Sequence, residues 1–152
     1  MPVTLKQVLQ WLNSDEPNYR AAAKLGVQIL PHLAALVQGN SPEHAAKAAS
    51  LASLIDDDRA VEVLSLAARH PSPIVRLAAA GGLRHMKRPS ATKVIMSLLD
   101  DKDHGVRKLA VKTVALRPDS ALLAKAAGLG RTDPHPQIRL LASRVAGGTR
   151  LA

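Results

Sequence analysis

A Pro-x-x-Arg motif recurs along the chain as Pro17…Arg20, Pro73…Arg76 and Pro136…Arg139, with degenerate copies at Pro42…Ala45 and His104…Arg107. Its last position falls at residues 20, 45, 76, 107 and 139, giving steps of 25, 31, 31 and 32 residues. Each copy is followed by apolar residues at helical spacing, such as Leu77-Ala78-Ala79-Ala80, Leu109-Ala110-Val111 and Leu140-Leu141-Ala142. A unit of this length cannot bury its apolar faces alone, but stacked on its neighbours it builds a continuous core. The pattern predicts an all-α protein, a right-handed α-α superhelix of about ten helices in five repeats, forming one domain over residues 1–152. A capping helix occupies 1–14, and the repeats fall near 15–40, 41–70, 71–101, 102–132 and 133–152.

Each motif reads as a helix start. Ser72-Pro73 and Ser41-Pro42 place a capping side chain before a proline at the first helical position, where a missing N–H costs nothing. Asp103 is a cap for the copy that has lost its proline. First helices are expected near 16–28, 42–54, 73–86, 104–116 and 136–146, and second helices near 31–38, 58–69, 90–99 and 119–127, after an N-terminal helix at 4–13. The first repeat is short, with its helices joined at Leu30-Pro31, and Gly147-Gly148 stops the last one. Gly81-Gly82 sits inside a predicted helix, where each glycine costs about 1 kcal/mol against alanine; close helix approach or a bend explains it.

The chain has no Phe and no Cys, and Trp11 and Tyr19 are its only aromatics. The core must be Ala, Leu, Val and Ile, and small side chains let helices pack closely. Thiolate metal sites and disulfides are excluded. The N-terminus lacks the pattern of a secretory signal, and no stretch approaches a membrane span, so a soluble cytoplasmic protein is expected. The six His residues (32, 44, 70, 85, 104 and 135) do not repeat in one column, and Glu43-His44 is a lone pair. No Ser/His/Asp order, glycine-rich phosphate loop or His-Glu-x-x-His motif is present. No catalytic residue, cofactor or metal is therefore assigned.

These residues resemble the HEAT-like repeat family, in its short-period subgroup named after phycobilisome lyases. Pro73-Ile74-Val75-Arg76-Leu77-Ala78-Ala79-Ala80 matches the first half of the family pattern, and Asp58-Arg59-Ala60-Val61-Glu62-Val63-Leu64 matches the second. The resemblance implies that the repeated Arg is structural and ties neighbouring repeats together, a role carried to Arg20, Arg76, Arg107 and Arg139. Ala45 departs from it, implying a looser junction between the first two repeats. It also implies that second helices line the concave face, where Arg59, Glu62, Lys93, Ser97, Ser120 and Leu123 are non-core positions. The family serves mostly as a protein-binding surface and only sometimes as an enzyme; its lyase subgroup attaches a chromophore, usually as a partnered heterodimer.

Charge locates a second surface. Residues 1–76 carry seven Lys/Arg and seven Asp/Glu, whereas residues 77–152 carry fourteen and five, so the whole net charge of +9 lies in the second half. The turns between first and second helices run from Asp56-Asp57-Asp58 to Lys87-Arg88, Arg117 and Arg150. A solvated edge explains these charges, and so does an edge that docks a partner. The reading is a non-enzymatic protein–protein interaction scaffold that binds an acidic partner through Arg59, Glu62, Lys93 and Ser97, or through Lys87, Arg88 and Arg117. The alternatives are duplex nucleic-acid binding by the basic half and a subunit of a lyase-type enzyme.

Overall fold

The computed structural model describes residues 2–14, 19–117 and 119–148. Pro17 and Arg150, which belong to the motif and the charged edge, lie outside them. Among the described residues there are ten α-helices, one 3-10 turn and no strand. The helices are α1 (Leu5–Leu12), α2 (Tyr19–Ala23), α3 (Leu30–Val37), α4 (Pro42–Ala52), α5 (Asp58–Ala68), α6 (Pro73–Leu83), α7 (Ala91–Leu98), α8 (His104–Leu116), α9 (Ser120–Thr132) and α10 (Pro136–Ala146).

Among the described residues, side-chain caps set five of the helix starts. Thr4 and Gln7 form a reciprocal capping box on α1. Ser41 accepts from the His44 N–H, Asp103 from the Val106 N–H, and Asp119 from the N–H groups of Ala121 and Leu122. Asp57 caps α5, accepting the Arg59 N–H at 2.8 Å. One detail differs from expectation. Ser72 holds the N-cap of α6 without a side-chain bond to the helix; its own N–H donates to His70 Nδ1 at 3.0 Å.

The first repeat departs most from its expected helix. Instead of one helix to residue 28, α2 ends at Ala23 and a 3-10 turn (Gly26–Ile29) leads directly into α3. Gly26 adopts φ +68°, a left-handed conformation that a side chain disfavours and a continuing α-helix does not contain. In the fourth repeat α9 continues past the expected residue 127 to Thr132, through Gly128 and Gly130.

The helices form two layers. In one, α2, α4, α6, α8 and α10 pack in succession; in the other, α3, α5, α7 and α9 do the same. Helix α1 packs against α2 and α4 and covers the N-terminal end. One cluster of buried residues runs between the layers from Val8 to Val145. It is filled by Leu33, Leu51, Leu64, Leu83, Ile95 and Leu122, with Ala45, Ala48, Ala49, Ala52, Ala79 and Ala80 wholly buried where first helices approach one another. Gly82 accounts for the glycine pair of α6. A Cβ there would lie 2.7 Å from Cβ of Ser53, so α6 meets the end of α4 at a distance only glycine permits. No helix among the described residues is long and apolar enough to cross a membrane.

Candidate functional site

Two polar ladders bind the repeats, one on each edge of the stack. The first occupies the turns that lead into the first helices. Arg76 directs Nη1 at the carbonyls of His70 and Pro71, both at 2.9 Å, and its Nε and Nη2 fork onto the Asp101 carboxylate at 2.9 and 3.3 Å. Arg107 repeats the arrangement one unit later. Its Nη1 donates to the Asp101 carbonyl at 2.8 Å, and its Nε and Nη2 reach Asp133 at 2.9 and 3.2 Å. Arg139 donates Nη1 to the Asp133 carbonyl at 2.7 Å. Each carboxylate is also held by its own loop, through the Asp103 N–H for Asp101 and the His135 N–H for Asp133.

These ion pairs are desolvated: the side chains of Arg76 and Asp101 are 7% and 8% exposed, and those of Arg107 and Asp133 are 11% and 1% exposed. Burial is the largest influence on Asp133 and pushes its pKa up. The Arg107 hydrogen bond, the His135 N–H and the charges of Arg107 and His135 together outweigh it, and the carboxyl ends below its ordinary value. Beside this ladder the rings of His104 and His135 stack, with centroids 4.7 Å apart and planes 8° from parallel. The His135 Nδ1 is buried without a hydrogen-bond partner. Among the described residues no three His, Asp or Glu side chains gather as a metal site.

The second ladder lies on the edge expected to dock a partner. Arg88 reaches back to the Asp56 carboxylate and carbonyl, both at 3.0 Å, and Ser90 donates to Asp58 at 2.8 Å. Arg117 donates to the carbonyls of Met86 and Arg88 and lies 3.5 Å from Thr92 Oγ1. Of the three cations on this edge assigned to partner binding, Arg88 and Arg117 bond to other repeats, while Lys87 is exposed. Ser53, Leu54, Asp56, His85, Met86 and Lys87 line a shallow cleft of about 320 Å³ between the turns of successive repeats.

On the second-helix layer Arg59, Glu62, Lys93 and Ser97 are all exposed. Arg59 turns back onto its own helix cap, with Nε and Nη2 at 2.9 and 3.1 Å from the Asp57 carboxylate. The Arg59 side-chain bond, and then the Arg59 backbone N–H, hold the Asp57 pKa down at about 2. Ser97 donates to the Val94 carbonyl at 2.7 Å. Lys125 of α9 bridges to Asp100 after α7 at 2.7 Å. Ser120 is exposed and Leu123 half-buried.

The four repeated Arg residues thus occupy different surroundings. Arg76 and Arg107 span repeats, Arg139 holds its own turn, and Arg20 is exposed with no ion pair among the described residues. The carboxylates that complete the ladder, Asp101 and Asp133, were not singled out from the sequence. Their signal was present as an Asp six residues before Arg107 and again before Arg139.

Comparison with known proteins completes the site. Residues 61–147 match the profile of the family described as HEAT repeats. No curated protein matches the sequence. Among solved structures, the fold is similar to a chain in the complex of CpcE and CpcF of phycocyanin lyase from Nostoc sp. PCC7120. The two are 19% identical with a TM-score of 0.72, and the match covers 93% of this chain and 96% of that one. At that identity the likeness is one of fold. It nevertheless corrects the expectation of a non-enzymatic scaffold. That expectation rested on the complete repeat array, the lack of a catalytic constellation or cofactor motif, and the family's usual use as a binding surface, yet this architecture, over nearly its whole length, occurs in the complex of a lyase.

Proposed function

This chain belongs to the HEAT-repeat family, and from that premise we propose that it is a subunit of a lyase-type enzyme acting with a second protein chain. The observation that carries the proposal is the near-complete overlay on a chain of the phycocyanin lyase complex, which leaves no large part of either chain unmatched. The rest of the molecule accords with a subunit whose contribution is to bind and orient. The two ladders stiffen both edges, and rigid elements are what hold a bound group in a reactive geometry.

The exposed surface that remains for contact is the second-helix layer with Glu62, Lys93 and Ser97, together with Lys87 and the cleft beside it. Arg59 joins this surface while anchored by Asp57. The excess of fourteen Lys/Arg over five Asp/Glu in residues 77–152 favours an acidic partner, whose approach it would accelerate. By the same chemistry, Lys93 and Lys87 suit a ligand that carries carboxylates.

The test is direct. The purified protein is mixed with the free chromophore of phycocyanin and passed through a gel-filtration column while visible absorbance is followed. The reading expects absorbance to travel with the protein and its band to change shape, and expects Lys93→Glu with Lys87→Glu to weaken retention at least tenfold without loss of helicity. Absorbance that elutes entirely as free chromophore, both with this protein alone and with the chromophore-free phycocyanin polypeptide added, would overturn it.

A further inference from the structure

Close packing demands glycine at position 82 of α6 but not at 81. Among the described residues, a Cβ on Gly81 would meet only Leu109 Cδ2 of α8 beyond its own helix, at an ordinary contact distance of 3.6 Å. Glycine weakens a helix interior relative to alanine, so neither the helix nor the core accounts for it. What glycine gives there is access. Residue 81 is half-exposed on the outer face of the first-helix layer, and a backbone without a side chain can be approached closely.

The ground around this bare patch is cationic. Arg84 follows one turn later, at the C-cap of α6. Lys112 stands in register with Gly81, 31 residues on, and Lys108 precedes it by one turn of α8. All three are exposed, and none forms an ion pair among the described residues. Helix α8 lies between α6 and α10, so this exposure is lateral and owes nothing to the ends of the stack. No acid balances the charge. Of the five carboxylates in residues 77–152, Asp101 and Asp133 hold Arg76 and Arg107, Asp100 holds Lys125, and Asp103 and Asp119 cap α8 and α9. On the neighbouring α4, Glu43 is bridged by Lys47.

The chemistry of the partner follows. Backbone N–H groups inside a helix bond within it, so an anion above Gly81 is held by side-chain charge alone. Separate cations on two adjacent helices suit an extended polyanion. Protein interfaces are enriched in aromatic residues and depleted of lysine; this face has two lysines, and the chain's Trp11 and Tyr19 both lie in its other half. Single strands are held by bases stacked on aromatics, which are lacking here for the same reason. Lys and Arg without aromatics neutralise the phosphates of a duplex, whatever its sequence.

We propose that the outer face of α6 and α8 binds the phosphate backbone of duplex nucleic acid. One strand crosses Gly81, with Arg84 on one side and Lys108 and Lys112 on the other. This activity goes beyond the lyase-type reading and does not depend on it. It uses the first-helix layer, whereas Glu62 and Lys93 stand on the second.

Fluorescence anisotropy of a labelled, mixed-sequence duplex DNA, titrated with the purified protein between about 50 and 200 mM salt, tests this. Three neutralised phosphates give an expected slope of log K against log salt of about −2.7. Lys108→Ala with Lys112→Ala should flatten it to about −0.9 and weaken binding at least tenfold at the lower salt. Lys6→Ala with Lys24→Ala removes the same charge from exposed positions in the neutral half and should change affinity less than about twofold. Gly81→Gln keeps the charge, suits a helix and covers the bare backbone. It should weaken binding at least tenfold with the helical circular-dichroism signal intact. Unlabelled poly-glutamate, at equal charge, should compete at least tenfold less well than unlabelled duplex. No binding at the lower salt, equal losses in the two double variants, or full binding by Gly81→Gln would overturn the proposal. So would poly-glutamate that competes as well as duplex, which would mark the face as one for an acidic protein. Chromophore retention is read on the parent protein, so the two readings fail separately.

Discussion

Arg107→Ala isolates what one rung of the ladder is worth. The substitution removes two charge-assisted bonds to Asp133 and one to the Asp101 carbonyl. It strands the carboxylate of Asp133, a residue 3% exposed, with the His135 N–H as that carboxylate's remaining hydrogen bond among the described residues. Removing one partner of a buried pair costs about 3–5 kcal/mol, and the residual exposure of the Arg107 side chain sets the expectation near the lower end, about 3 kcal/mol. For a chain of this length that is a fall of about 6–12 °C in melting temperature. Helical content before melting should be nearly unchanged, since each helix keeps its own backbone bonds.

The pH dependence carries a sign. In the parent the Asp133 pKa lies below its ordinary value, so its contribution is complete above about pH 4 and is lost as pH falls through the lowered folded value. In Arg107→Ala burial dominates and raises the folded pKa, so the ionised carboxylate costs stability at neutral pH and the cost vanishes once it is protonated. The difference between the proteins should therefore be greatest near pH 7 and shrink below about pH 4. Urea unfolding followed by circular dichroism at both pH values measures it. A difference under about 1 kcal/mol at pH 7, or one that does not narrow in acid, would refute the reasoning.

Three further outcomes follow from the geometry. Gly128→Ala meets nothing within 4 Å and should stabilise by up to about 1 kcal/mol, whereas Gly130→Ala drives its Cβ into Ser143 and should cost about 1–3 kcal/mol; thermal melts of the two variants should move in opposite directions. Gly26→Ala, at φ +68° in open space, should cost about 1–2 kcal/mol by backbone strain alone, and a melting temperature equal to the parent's would contradict that. A double-mutant cycle on Arg88 and Asp56 should return less than about 1 kcal/mol and fade in 0.5 M salt, because Asp56 is 86% exposed.

The repeat was legible because its period and its cap chemistry are local. Ser41, Asp103 and the prolines at 42, 73 and 136 mark helix starts where the structure places them. What escaped was relational. Arg76 and Arg107 are visible as repeated residues, but the identity of their partners depends on which loop of the next repeat lies against them, and that is set by packing across 25 or 26 residues. The charged edge misled for the same reason. Asp56 with Arg88 look in sequence like an acidic and a basic patch, yet the 32 residues between them are one turn of the stack, so they meet and neutralise each other. The break at Gly26 was missed because helix propensity tolerates a glycine and the sequence alone does not show its φ.

The same distinction explains why the lack of a catalytic constellation does not exclude a lyase-type role. A motif search asks whether one chain holds nucleophile, base and charge stabiliser together, and folds host chemistry through sites rather than through their own motifs. In an assembly of two chains the reacting groups can be divided between them, and each subunit then displays binding surfaces with no complete set. The exposed second-helix face bearing Glu62 and Lys93 is of that kind. Neither side chain belongs to the core or to either ladder, and both stand on helices, α5 and α7.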